Sequence, residues 1–306
     1  MTIETKEKCM FTKKKRVFTG AATAMITPMK GGLIDYDALG ELIDFQINGG
    51  VSAIVVCGTT GEGSTLTQDE VRRITRFSRE RIGGRLPLIV GTGSNDTAKM
   101  IISSENARED GADALLLVSP YYNRATPKGI IKSYLSVAEK TDLPMILYNV
   151  PSRTGVDIPV SAYRTLASHE NIVAVKEASG NIAKIAELAA ETDGMLDIYS
   201  GNDDQVIPVL SLGGVGVISV ISNVMPKAVS DMCREYFSGR ADAAKKAQLA
   251  LMPMIRVLFS EVNPIPVKTA LAVMGRCTEE LRLPLCEMDE ANKVALIKQL
   301  RKYKLI

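Results

Sequence analysis

Eight times between Gly20 and Phe237, a short apolar run rich in β-branched residues gives way to a polar loop and then to a stretch with helical spacing. No other feature constrains the fold as tightly, because a strand that rejoins its sheet after a helix must run parallel to the one before it. The apolar runs are Ala21–Ile26, Ala53–Cys57, Leu88–Gly91, Ala114–Val118, Met145–Tyr148, Ile172–Val175, Leu196–Tyr199 and Val215–Val220. Amphipathic segments alternate with them: Asp35–Asn48, Thr67–Ile82, Asn95–Asp110, Pro127–Lys140, Val160–Ser168, Asn181–Glu191, Asp204–Leu212 and Pro226–Phe237. Parallel strands are covered on both faces and read as near-continuous apolar runs, as these do. Eight such units suit a closed barrel better than an open doubly wound sheet. An open sheet would carry a Gly-rich turn after its first strand, where this chain has Thr27-Pro28-Met29-Lys30. The expected fold is therefore α/β, a (β/α)8 TIM barrel spanning 17–240.

Local signals agree with this reading. Thr67 and Glu70 have capping-box spacing, and Pro127, Pro159 and Pro226 suit first helical turns. Gly49, Gly83, Gly111, Gly194 and Gly213 fall where the helical patterns stop. After Arg240 helical patterns follow one another without strands: Ala241–Phe259, Pro266–Met274 and Asp289–Lys302. Residues 241–306 read as a small C-terminal helical appendage, interrupted at Glu261–Pro266 by two prolines. Residues 1–16 form a basic arm with Lys6, Lys8, Lys13, Lys14, Lys15 and Arg16. Such an arm either touches an anionic partner or is a solvated terminus.

Composition excludes several classes of function. A net charge of +2 argues against a nucleic-acid surface. No run approaches the roughly 18 apolar residues of a membrane span, and no signal-peptide pattern follows the basic start. The five cysteines (Cys9, Cys57, Cys233, Cys277, Cys286) are scattered and odd in number, as suits reduced thiols in a cytoplasm. The single histidine, His169, lies in a polar stretch and reads as solvated. A His/Cys metal site is not expected, nor is a nucleotide fingerprint or any cofactor.

Chemistry in such a barrel belongs at the C-terminal ends of the strands. Lys176 closes the apolar run Ile172–Val175, a poor place for a charge. Strand alternation puts it on one face with Ala174 and Ile172. If that face is the interior, desolvation lowers its pKa and lets a neutral amine form a Schiff base; the alternative is a lysine paired with an acid. Tyr148 ends another apolar strand and either shuttles a proton or packs its ring with its hydroxyl bonded. Thr59 and Thr60, between Gly58 and Gly61, suit an anion or form a plain turn. Arg153 either grips a carboxylate or makes a surface salt bridge.

These strand ends resemble the dihydrodipicolinate synthase/N-acetylneuraminate lyase superfamily of class I aldolases, from about Val17 to Met274. The resemblance is carried by Gly58-Thr59-Thr60-Gly61-Glu62, Gly91-Thr92-Gly93-Ser94-Asn95, Pro120-Tyr121-Tyr122-Asn123 and Tyr148-Asn149-Val150-Pro151-Ser152-Arg153-Thr154-Gly155. Lys176-Glu177-Ala178-Ser179-Gly180, Ser200-Gly201-Asn202-Asp203 and Gly216-Val217-Ile218-Ser219-Val220 complete it. The resemblance implies Lys176 as the Schiff-base lysine for pyruvate. It implies Tyr148 as the proton-transfer group, linked through Thr60 to a Tyr122 that crosses from a neighbouring subunit. Thr59 and Thr60 would bind the pyruvate carboxylate, Arg153 the carboxylate of the incoming aldehyde, and Gly201 and Ile218 would offer backbone groups. It further implies a homo-oligomer, a tetramer built as a dimer of dimers. Thr59-Thr60 and Arg153 favour the synthase branch, whose second substrate is L-aspartate 4-semialdehyde. Another pyruvate aldolase acting on a sugar acid, or an inactive ligand sensor, are the rival readings. Lysine-inhibited members carry two histidines and a glutamate where this chain has Gln68, Val71 and Lys99, while Asn95 and Tyr121 remain. Weak or absent lysine feedback is the expectation.

Overall fold

The computed structural model describes residues 14–306. Eight parallel strands close into a barrel in sequence order: Gly20–Ala24, Ala53–Val56, Leu88–Gly91, Ala114–Val118, Met145–Asn149, Ile172–Glu177, Asp197–Ser200 and Gly216–Ser219. The eighth strand returns to the first, with Ala22 opposite Ile218, so no edge remains open. A short hairpin, Met29–Lys30 with Leu33–Ile34, follows the first strand outside the barrel. Each strand is followed by a helix, from Tyr36–Asn48 to Pro226–Phe237.

The helix starts are set by the residues that the sequence singles out. Thr67 accepts from the Glu70 N–H while the Glu70 side chain accepts from the Thr67 N–H, a reciprocal capping box. Pro127 and Pro226 occupy the first turns of their helices, whereas Pro159 lies one residue earlier, at the cap of Val160–Leu166. Gly83 caps Gln68–Ile82 in the left-handed conformation that glycine adopts without strain. The helices Ala241–Leu258, Ile265–Val273 and Glu290–Lys302 pack on one another, and the first of them packs on Pro226–Phe237. Among the described residues no helix is long and apolar enough to cross a membrane.

Two apolar layers organise the molecule. Small and branched side chains such as Ala22, Ala53, Val55, Ile89 and Ile146 fill the barrel interior, and a larger cluster lies between strands and helices. The sixth strand departs from simple alternation. Its register against the fifth shifts between Met145 and Ile146, so that Met145 faces Ile172 but Ile146 faces Ala174. Ile172 therefore joins the outer cluster and Ala174 the inner one. This corrects the expectation that Ile172 shares a face with Lys176: the irregularity at Val173 inserts one residue and reverses the facing before it.

The end of the barrel opposite the strand C-termini is sealed by the N-terminal segment. Phe18 stacks on Tyr199 with ring centroids 4.2 Å apart. Arg16 makes two hydrogen bonds to Asp197. The Lys14 ammonium donates to the carbonyls of Ala167, His169 and Ile172 at 2.6–2.8 Å, and burial brings its pKa down to about 8. These two basic residues are thus bonded to the barrel, Lys14 half-buried and Arg16 still exposed. Lys6, Lys8 and Lys13 of the same arm, and Cys9, lie outside the described residues.

Candidate active site

The sixth strand carries Lys176 to the mouth of the barrel, where only 5% of its surface is exposed. Burying a cation ordinarily requires a carboxylate partner, yet Lys176 forms no ion pair with any described residue. Its neighbour Glu177 points the other way. The Glu177 carboxylate accepts from Asn149 Nδ2 at 2.9 and 3.0 Å, from Tyr163 Oη at 3.3 Å and from the Ser179 N–H at 2.8 Å. Asn149 also donates to Asp157, which is ion-paired with Lys184. This network ties the fifth strand to the sixth one residue beyond Tyr148 and Lys176. Tyr148 and Lys176 are opposite each other in that pair of strands, and the Lys176 Nζ lies 4.2 Å from the centre of the Tyr148 ring. The Tyr148 hydroxyl bonds to no described residue.

The field at Lys176 includes Asp203, a wholly buried acid just past the seventh strand. Burial pushes the Asp203 carboxyl above its ordinary range. The nearby Ser219 hydroxyl, the Ile221 and Val220 N–H groups and the charge of Lys176 act the other way. One of its oxygens accepts from both those N–H groups at 2.9 Å, and the other has no partner among the described residues. Gly201 precedes it. A Cβ there would come within 2.6 Å of the Ala178 Cβ and 3.2 Å of the Lys176 Cε, so only glycine lets the chain pass this close to the lysine stem. The Gly201 N–H is spent on the Glu177 carbonyl, leaving its own carbonyl to offer. Ile218 is fully buried on the inner face of the eighth strand.

Thr59 and Thr60 lie in the turn after the second strand. It is closed by Glu62 N–H to the Thr59 carbonyl and Gly63 N–H to the Gly58 carbonyl, both 3.1 Å. Glu62 adopts a left-handed backbone with φ of 55°, held by a buried ion pair with Lys268 of helix Ile265–Val273. Thr60 Oγ1 accepts from Asn263 Nδ2 at 2.9 Å. Arg153 is exposed on the loop after the fifth strand, and its Nη2 donates to the Asn263 carbonyl at 3.0 Å. It makes no salt bridge among the described residues. Tyr122 stands apart on the loop after the fourth strand, 88% exposed, with a left-handed φ of 68°.

The structure thus groups Lys176, Tyr148, Gly201 and Ile218 in and around one mouth, sets Thr60 and Arg153 against a common residue, and leaves Tyr122 exposed on its loop. His169 is half-buried in a turn where its Nδ1 accepts from the Asn171 N–H. Among the described residues no group of three His, Cys, Asp or Glu could hold a metal ion. Sequence reasoning missed Asn263, Lys268 and the Asn149–Glu177 network. Lys268 had left a signal, a lysine inside the apolar helix Val267-Lys268-Thr269-Ala270-Leu271. Asn263 left none, since its role depends on a loop bringing it to Thr60 from far along the chain.

Fold and site define a (β/α)8-barrel lyase of the class I aldolase type. The chain belongs to the dihydrodipicolinate synthetase family, whose model matches residues 17–303. It is 51% identical over 292 residues to a 4-hydroxy-tetrahydrodipicolinate synthase of Lachnoclostridium phytofermentans, covering 95% of this chain and 99% of that one. A synthase of the same name from Clostridium tetani is 47% identical over 291 residues, with 95% and 99% covered. The crystal structure of dihydrodipicolinate synthase from Thermotoga maritima superposes with a TM-score of 0.94 at 39% identity, covering 95% of this chain and all of that one. That from Aquifex aeolicus superposes at 0.93 and 44% identity, covering 94% and 99%.

Proposed function

We propose that this chain condenses pyruvate with L-aspartate 4-semialdehyde to give 4-hydroxy-tetrahydrodipicolinate, in the route to diaminopimelate and lysine. The observation that carries the reading is Lys176: an amine buried at the barrel mouth without an acid partner, against the face of Tyr148. The neutral amine adds to the pyruvate carbonyl, and loss of water leaves an iminium. Loss of a methyl proton gives the enamine, because the iminium nitrogen accepts the electron pair. The enamine carbon attacks the aldehyde, forming the C–C bond, and the resulting alkoxide is protonated. The amino group of the second substrate then attacks the imine carbon, closing the ring and releasing Lys176.

Tyr148 is assigned the proton transfers, for which its unbonded hydroxyl is available. The Thr59 and Thr60 N–H groups bond to no described residue, which suits them to the pyruvate carboxylate. Arg153, exposed and without a carboxylate, is assigned that of the aldehyde. The carbonyl of Gly201 and the backbone of Ile218 complete the pocket. Tyr122 is assigned to the site of the partner subunit. An exposed aromatic side chain held in a left-handed backbone is costly in an isolated protomer and suits a contact between copies. A homotetramer arranged as a dimer of dimers, located in the cytoplasm, follows from the same reading, as does the absence of a cofactor.

The test is turnover with pyruvate and aspartate semialdehyde, run beside cleavage of N-acetylneuraminate and of 2-keto-3-deoxygluconate. Turnover of the semialdehyde alone is expected. Cleavage of either sugar acid in its place would remove the proposed second substrate. In Arg153→Ala the KM for the semialdehyde should rise roughly 10- to 100-fold, the loss of a charge-assisted pair. An unchanged KM would place that carboxylate elsewhere.

A further inference from the structure

A peptide unit is planar, and in its trans form the C=O and the N–H point in opposite directions. The peptide bonds of the turn after the second strand are all trans, so fixing a carbonyl there also aims an N–H. The Thr59 carbonyl accepts from the Glu62 N–H and the Gly58 carbonyl from the Gly63 N–H, both at 3.1 Å. Both carbonyls are thereby turned toward Glu62 and Gly63. The N–H groups that share those two peptide units belong to Thr60 and Thr59. They face the other way, and neither bonds to a described residue.

We infer that Lys268 is a positioning residue for this turn, acting through Glu62 to aim the two N–H groups assigned to the pyruvate carboxylate; this rests on the aldol reading above. Glu62 supplies the N–H that fixes the Thr59 carbonyl. Its own backbone is left-handed, with φ of 55°, a conformation that a glutamate keeps only where its surroundings impose it. Contacts of its side chain do so. One carboxylate oxygen is ion-paired with the Lys268 ammonium, and the other accepts from the Arg282 N–H at 3.0 Å. Lys268 is wholly buried and Glu62 nearly so, so neither charge has water as an alternative partner. The ammonium also donates to the Glu280 carbonyl at 2.7 Å. Lys268 stands on helix Ile265–Val273, whose Val267, Ala270 and Leu271 lie in the core. The pair therefore fastens the turn to a packed helix and not to another loop.

A buried ion pair can also serve folding alone, and the two roles part when its charge and its link are removed separately. Steady-state turnover and thermal melting are measured for Lys268→Met and for Glu62→Gln combined with Lys268→Met, beside the native chain. Lys268→Met leaves the Glu62 carboxylate buried without its cation, which should lower the melting temperature and release the turn. The pyruvate KM should rise roughly 10- to 50-fold, the loss of aligned charge-assisted hydrogen bonds, while the semialdehyde KM moves by less than about threefold. In the double variant no charge is left unpaired, so much of the melting loss should return. The link to the helix is still absent there, and the pyruvate KM should stay raised by more than about threefold. A role in folding alone would bring the pyruvate KM back together with the melting temperature. A pyruvate KM within about threefold of native in either variant, or a semialdehyde KM that rises as far as the pyruvate KM, would overturn the inference. Should Lys268→Met show no cooperative melting, the double variant decides by the same two KM values. A native chain inactive on these substrates sinks the aldol reading and the inference with it. An active native chain whose pyruvate KM is insensitive to both variants removes the inference alone.

Discussion

An amine at the mouth of a barrel is useful only if its stem is held still and its head is left unpaired, and single residues around Lys176 meet both demands. Glu177, the acid most able to neutralise it by proximity in sequence, is turned outward and fully engaged by Asn149, Tyr163 and the Ser179 N–H. Gly201 leaves room for the lysine stem. Gly201→Ala should push Ala178 or the Lys176 stem aside, at a cost of about 1–3 kcal/mol in stability. Chemical denaturation would measure that cost, and turnover should fall with it. Native stability and turnover in this variant would mean that the crowding is absorbed elsewhere. At this scale the sequence announces Lys176 and Tyr148 because a polar group ends an apolar strand. It could not announce Asn263, whose contacts depend on tertiary placement. Nor could it decide between a paired and an unpaired Lys176, a choice made by the outward facing of Glu177.

Among the elements, the connection of the C-terminal helices to the barrel carries a testable pH dependence. Arg282 donates to Glu70 at 2.8 Å and to the Thr65 carbonyl at 2.9 Å, fastening the segment after helix Ile265–Val273 to the cap of helix Gln68–Ile82. The hydrogen bond from Arg282, with that from Thr67, outweighs burial and holds the Glu70 carboxyl down at about 2. A carboxyl depressed by folding adds stability that is fully present above its unfolded pKa of about 4.3. That stability is lost as pH falls toward the folded value. Thermal melting of Glu70→Gln should therefore show a shallower decline between roughly pH 4.5 and 2 than the native chain, with a loss of about 1–2 kcal/mol near neutrality. Parallel melting curves would refute the assignment. Element boundaries were largely legible, because caps and prolines mark them: Thr67 and Glu70, Pro127, Pro226. The facing of the sixth strand was not, because the register shift near Val173 has no signature in a run of apolar residues. Lys14 was illegible for a different reason, since its three acceptors are backbone carbonyls, which every residue possesses.

For the whole molecule, eight strand–helix units could be counted directly from the chain, and closure followed from their number and from the missing Gly-rich turn. The chain leaves Tyr122 88% exposed, and the cover proposed for it is a second copy. Regulation belongs to this scale too. The proposed absence of strong lysine feedback rests on Lys99, exposed at the start of helix Thr97–Glu109, and on Gln68 and Val71, where the family resemblance implies histidines in lysine-inhibited members. A cation at Lys99 repels a cationic effector. Turnover should stay within about twofold of its uninhibited rate at millimolar lysine, and half-inhibition below a millimolar would contradict this. The central claim is that Lys176 holds pyruvate covalently. Its most direct test is borohydride reduction of the chain with pyruvate alone, followed by intact-mass and peptide analysis. One reduced pyruvate adduct per chain, on the peptide containing Lys176 and absent from Lys176→Ala, is the predicted result. No adduct, or an adduct on another lysine, would contradict it.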